Sequence, residues 1–167
     1  MFKHENLLNQ YLHSHADRVN HGFISQLESV LSLGSPAYHL TASGIVIKDN
    51  RILLVHHRYI KEWIQPGGHI ELNEEPHDAA QREVLEETGW SSNLIGNEIP
   101  IDIDIHLIPD NPIKSEPAHW HIDCAYLLAP TSYAVQPNME KSSWFSFSDV
   151  ENIRVQRVLN FLNSQSF

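Results

Sequence analysis

The chain has 167 residues, 41% of them hydrophobic, and a formal net charge of −10. That length supplies one domain's core, and the acidic balance argues against sequence-independent nucleic-acid binding through a broad basic surface. A single cysteine, Cys124, excludes an internal disulfide, and no apolar stretch approaches membrane-spanning length, so the chain reads as soluble and cytoplasmic.

Residues 1–34 carry helical spacing, first in Leu7, Leu8, Tyr11 and Leu12, then in Phe23, Ile24, Leu27, Val30 and Leu31. Asn20-His21-Gly22 is expected to separate two helices, and Gly34-Ser35-Pro36 to end the second. Residues 1–36 are therefore read as a helical extension packed on a domain spanning 37–167. The extension could cap a cleft, form a homodimer contact or simply pack on the sheet. Most of the twelve histidines are scattered, as at His4, His13, His15, His21 and His39, and read as surface residues.

Strand character begins at His39. Residues 39–47 and 52–57 form a predicted hairpin around Lys48-Asp49-Asn50-Arg51, and 63–66 form a short extended segment. Arg58 and Lys61 follow the hairpin, where either a phosphate or water would satisfy them.

The next stretch, Gly67 to Trp90, organises the rest. Pro76 suits a first helical position because its missing N–H would be unpaired there anyway. Asp78 complements the helix dipole, and Gly89 suits the left-handed position past the helix end. Glu83, Glu86 and Glu87 project from one stripe, with Arg82 one turn before Glu86. Like charges so placed repel, so an offsetting hard cation with oxygen ligands is expected. Ala79 and Ala80, one turn earlier, would leave room for something to approach.

Beyond the helix, Ile101, Ile103, Ile105 and Leu107 alternate with Asp102, Asp104 and His106, predicting a strand with one buried face. Pro109-Asp110-Asn111-Pro112 reads as a turn. A further strand covers 119–128, with His119, His121 and Asp123 on one face. That face could bind zinc or iron, line a substrate cleft, or be a hydrogen-bonded polar surface. Residues 142–147 form a last strand, and Ser148 is placed to cap a helix from about Asp149, with Ile153, Val155, Val158, Leu159 and Leu162 seeking the core. Trp63, Trp120, Trp144 and Tyr126 could stack on a base, although such aromatics are usually core.

Gly68, Glu74 and the run Arg82-Glu83-Val84-Leu85-Glu86-Glu87-Thr88-Gly89-Trp90 resemble the Nudix box, G-x5-E-x7-R-E-U-x-E-E-x-G-U, where U is bulky and apolar. All nine specified positions over 23 residues match. The resemblance implies an α/β fold, a Nudix-like α/β/α sandwich with a mixed sheet. It implies hydrolysis of a diphosphate linkage in a small nucleoside diphosphate derivative, with Mg²⁺, or Mn²⁺, as cofactor. Glu83, Glu86, Glu87 and the Gly68 carbonyl would hold the metal, Arg82 would orient a carboxylate, and Glu74 would pair with Arg82. Glu83 is the first choice for general base, with Glu116 and Asp123 as rivals; Asp123 could complete the metal shell. Arg58, His119 and His121 are candidate substrate contacts. Two readings stand beside this: an isopentenyl diphosphate isomerase, disfavoured because Cys124 lies downstream of the box, and a nucleotide-sensing module without turnover.

Overall fold

Asp49 and Asn50 both adopt positive φ, 51° and 55°, and this tight turn sets the register of the first hairpin, pairing Lys48 with Arg51 and Ile47 with Ile52. The computed structural model describes residues 5–110 and 115–164. His4, and Asn111-Pro112 of the expected turn, lie outside the described residues. Contacts divide the chain into two units, one of residues 1–40 with 103–123, the other of 41–102 with 124–167.

The first unit holds α1 (Glu5–Ser14), α2 (His21–Ser32), the start of β1 (Tyr38–Lys48), nearly all of β6 (Asp102–Ile108) and the start of β7 (His119–Tyr133). Leu8, Tyr11, Leu27, Val30, Ile103 and Ile122 are buried, the helical residues being drawn from the apolar stripes the spacing marks out. Asn20 is itself the N-cap of α2, its side chain accepting from the Phe23 N–H at 2.9 Å. Gly22 therefore lies inside the helix rather than in the separator, because the cap residue satisfies an otherwise unpaired donor. Gln26 donates to the Ile105 carbonyl, tying α2 to β6.

The second unit contains the rest of β1 and β7, with β2 (Arg51–His56), β3 (Trp63–Ile64), β4 (Gly67–His69), α3 (Pro76–Thr88), β5 (Trp90–Leu94), β8 (Ser142–Ser146) and α4 (Ile153–Ser164). The strand order is β3-β2-β1-β7-β5, with β4 on β1 and β8 on β2. A Cβ at Gly44 would overlap Val84 of α3, whereas the next residue, Ile45, packs with Val155, Val158, Leu159 and Leu162 of α4. Successive strand residues face opposite ways, so α3 and α4 cover opposite faces of a mixed sheet. This is the expected α/β class.

Local predictions fail where a distant partner intervenes. Ile103 is buried as expected for β6, but Asp102 is 2% exposed and Leu107 52%, so these two positions depart from the expected alternation. Asp102 is buried because Arg157 donates to both its oxygens, at 3.2 and 2.6 Å, and Arg154 lies 3.5 Å away. Ser148 does not cap the last helix; its hydroxyl donates to Asp149. A 3-10 turn occupies Phe147–Asp149, and the Asn152 side chain instead accepts from the N–H groups of Arg154 and Val155. Ile153 is consequently exposed on the first turn. Trp90–Leu94 is a strand that no apolar alternation announces, and β7 runs on to Tyr133 to pair with it.

Candidate active site

The glycine pair exists because backbones meet there. β4 lies antiparallel to β1, with Gly67 opposite Ser43 and Gly68 opposite Ala42. A Cβ at Gly67 would sit 2.6 Å from the Ala42 carbonyl oxygen, and one at Gly68 would sit 2.6 Å from Glu83 Oε1. Both glycines thus permit a close approach that any side chain would forbid. They bring the Gly68 backbone against the carboxylate of Glu83.

Helix α3 carries the acidic groups and ends as its sequence predicts. Glu75 occupies the N-cap in an extended conformation, Pro76 follows, and Gly89 takes φ +76° while donating to the Leu85 carbonyl at 2.8 Å. Ala79 and Ala80 are fully buried, correcting the expectation that they open room on the acidic stripe. Their small size instead lets the helix pack closely, which leaves the carboxylates on the helix flank.

Arg82 is the hub. It clamps Glu74 through two hydrogen bonds, at 2.8 and 2.9 Å, donates to Glu83 at 2.7 Å and to the His69 carbonyl at 2.9 Å. Its contact with Glu86, expected from the four-residue spacing, is the longest at 3.4 Å. The fork geometry of a guanidinium explains the preference: two parallel bonds to one carboxylate outweigh a single stretched one to an exposed partner. The Glu74 carboxyl is held below its usual range chiefly by the Arg82 hydrogen bond.

Glu83 and Glu87 behave differently from Glu74. Burial pushes the Glu83 carboxyl up despite the hydrogen bond from Arg82. Burial also pushes Glu87 up, to about 7, with the Gly67 amide opposing at 3.0 Å and the charges of Glu83 and Glu140 adding to the rise. Two desolvated carboxylates beside the glycine pair, sharing Arg82 with Glu74, form an oxygen donor set with more negative than positive charge. Such a set fits a hard divalent ion such as Mg²⁺ or Mn²⁺.

Sequence reasoning missed Glu140. Nothing marks it in the chain, where it sits between Met139 and Lys141. Its amide donates to the Glu87 carbonyl at 2.9 Å, and its carboxylate pairs with Arg58. Arg58, read from sequence as a phosphate contact, is half-exposed and carries that partner with it. Trp63 packs against the α4 cluster and Tyr126 is buried, so neither is a free stacking surface. Trp144 joins Trp90, Lys48, Asp49 and Arg51 around a cavity of about 440 Å³. Lys48 lies five residues along β1 from Ser43, about 16 Å from the glycine pair. His119, His121 and Asp123 belong to the first unit, on the opening residues of β7.

A helix-borne carboxylate cluster facing a glycine-rich loop, on a sheet covered by helices on both faces, characterises this α/β domain. The NUDIX domain model matches residues 37–161, and the chain belongs to the Nudix family. Over 94 residues it is 42% identical to the "Probable DHNTP pyrophosphohydrolase" of Lactococcus lactis subsp. cremoris, covering 56% of this chain and 55% of that protein. Over 47 residues it is 47% identical to diphosphoinositol polyphosphate phosphohydrolase 2 of Rattus norvegicus, covering 28% of this chain and 26% of that one. The matched stretches thus span about half, or less, of these curated relatives. A Nudix-family hydrolase from Clostridium perfringens superposes with a TM-score of 0.58 at 27% identity, covering 74% of this chain and 97% of that one. An ADP-ribose pyrophosphatase from Streptococcus suis shares the fold at a TM-score of 0.56 and 20% identity, over 77% and 92% of the two chains. Among the described residues, no helix is long and apolar enough to cross a membrane.

Proposed function

We propose that the chain is a metal-dependent pyrophosphohydrolase that cleaves a diphosphate linkage in a nucleoside diphosphate joined to a further group X. The observation that carries this reading is the pair of half-buried carboxylates, Glu83 packed against Gly68 and Glu87 on the Gly67 amide, both with proton affinities raised by burial. The name of the Lactococcus relative, a pyrophosphohydrolase, supports the same bond class.

Glu83, Glu86, Glu87 and the Gly68 carbonyl would hold Mg²⁺ or Mn²⁺. When bound, the ion neutralises phosphate charge and makes water more acidic. Arg82 positions Glu83 and is itself positioned by Glu74. Glu83 is assigned as general base, since burial raises its proton affinity toward the working range while its geometry stays fixed. Glu140 braces the same end of α3, and Arg58, released from it or shared with it, meets the distal phosphate. Residues 37–167 form the catalytic domain and 1–36 an extension. A net charge of −10 suits a small anionic substrate only where bound metal inverts the local field, and disfavours nucleic acid.

The test is a panel of nucleoside diphosphate derivatives, with DHNTP included, incubated with Mg²⁺ or Mn²⁺ beside a Glu86→Gln control, with products resolved by chromatography. Metal-dependent cleavage of one compound that is lost in the control names X. Binding without cleavage across the panel would replace the enzyme with a nucleotide-sensing module.

A further inference from the structure

Hydrolysis by the carboxylate helix leaves the polar face of β7 without a task. Strand alternation puts His119 and His121 on one side of β7. The Trp120 amide donates to the Ala37 carbonyl at 2.9 Å, which brings the openings of β1 and β7 together. His39, two residues into that opening of β1, thereby meets both: its ring centroid lies 4.5 Å from His119 and 6.1 Å from His121.

The nitrogens converge as well as the rings. One nitrogen from each of His39, His119 and His121 lies within 4.8 Å of the others, and the Nε2 atoms of His119 and His121 are 3.1 Å apart. Two imidazole nitrogens bound tetrahedrally to zinc at about 2.0–2.1 Å would stand only slightly farther apart than that. His119 is buried, and its Nδ1 donates to the Pro117 carbonyl at 2.9 Å. That bond fixes the tautomer, so the Nε2 lone pair points at the other rings, which is how backbone carbonyls commonly orient histidine ligands. Glu116 Oε1 lies 3.9 Å from the same Nε2, offering an oxygen donor from the preceding loop. His106, its Nδ1 bonded to Asp104 at 2.9 Å, packs edge-on to His121 and braces that ring.

We propose that His39, His119 and His121 contribute three nitrogens to a Zn²⁺ site. The donor set separates it from the carboxylate helix. Three imidazoles suit a borderline-soft transition ion, whereas Mg²⁺ seeks oxygen and keeps its waters. By joining the openings of β1 and β7, the ion staples the first unit. Without it, the Nε2–Nε2 contact is an ordinary hydrogen bond in which His121 donates.

The full chain is dialysed against buffer with ZnCl₂, then against metal-free buffer, and bound zinc is counted by mass spectrometry. A parallel sample loaded with Co²⁺ is examined for the visible absorption of a nitrogen-ligated tetrahedral ion. The expected result is about one zinc per chain, a higher melting temperature with zinc, and a Co²⁺ spectrum. His121→Gln and His39→Gln, both at half-buried positions and each checked for folding by circular dichroism, should each lower zinc affinity at least about tenfold. Glu86→Gln should leave zinc content unchanged while abolishing any Mg²⁺-dependent hydrolysis. Absence of retained zinc in the wild type would overturn the site, as would zinc that survives both histidine substitutions. Zinc lost only in Glu86→Gln would move the ion to the carboxylate helix and also overturn it. A KM effect of His121→Gln without any zinc binding would make these residues substrate contacts instead.

Discussion

Asp102 and Glu87 are both carboxylates withdrawn from water in the same unit, and their surroundings differ in one respect. Asp102 receives Arg157 on both oxygens and has Arg154 beside it. Glu87 receives one backbone amide and faces the like charges of Glu83 and Glu140, with Arg58 a weaker opposing charge. Burying a charge is costly unless it is paired, so the first arrangement completes itself while the second favours either a bound proton or, on the proposed reading, a cation from outside. The contrast separates a carboxylate paired within the fold from one that the proposed function assigns to the site. Burial alone would not have told them apart.

The largest effect that could break this comparison is on turnover. On the proposed reading Glu87→Gln removes a charge that holds metal and should lower kcat/KM by about a thousandfold, or about 4 kcal/mol, in the Mg²⁺-dependent assay. Full activity in that variant would return Glu87 to the class of Asp102.

Asp102→Asn should act in the opposite way, on stability and not on chemistry. Removing the charge that Arg154 and Arg157 share should cost about 2–4 kcal/mol in urea unfolding, toward the low end of the range for a broken buried pair because Arg157 remains half in water. Unchanged unfolding would mean that solvent satisfies both arginines.

Glu87 also makes a signed prediction for the metal-free protein. Its folded pKa of about 7 lies above the unfolded value near 4.5, so between those values the native state binds more protons than the unfolded one. Stability should therefore fall as pH rises through that window. Glu87→Gln should remove this slope, being more stable than wild type at pH 8 by about 1–3 kcal/mol and equal to it at pH 4. Thermal melts in chelator across that range test it, and saturating Mg²⁺ should erase the wild-type deficit.

The smallest expected effect is at the rim. Arg58→Ala should leave the melting temperature unchanged, as exposed ion pairs contribute little. If Arg58 meets the distal phosphate, KM should rise by up to about tenfold with kcat retained. An unaltered KM would confine Arg58 to its pairing with Glu140.

The histidine cluster stands between these cases. His119 and His121 were visible on one face of a strand, but His39 read as one scattered surface residue among many. Eighty residues of chain separate it from His119, and only the pairing of β1 with β7 joins them.

By itself the sequence determined the features whose causes are local. Pro76 and Gly89 bound the helix because each suits one end's unpaired backbone groups, and Asp49-Asn50 turn the hairpin because both tolerate positive φ. The spacing of Gly68, Glu74, Arg82, Glu83, Glu86 and Glu87 carried the family for the same reason. One helix and its leading loop contain the whole pattern. The tertiary structure alone decided which carboxylates lose water and which gain a partner. Asp102 meets arginines more than 50 residues away, Glu140 reaches Glu87 from the loop between β7 and β8, and the polar strand β5 forms because β7 offers it an edge. Solvation and pairing depend on neighbours brought together by the fold, and no local period records them.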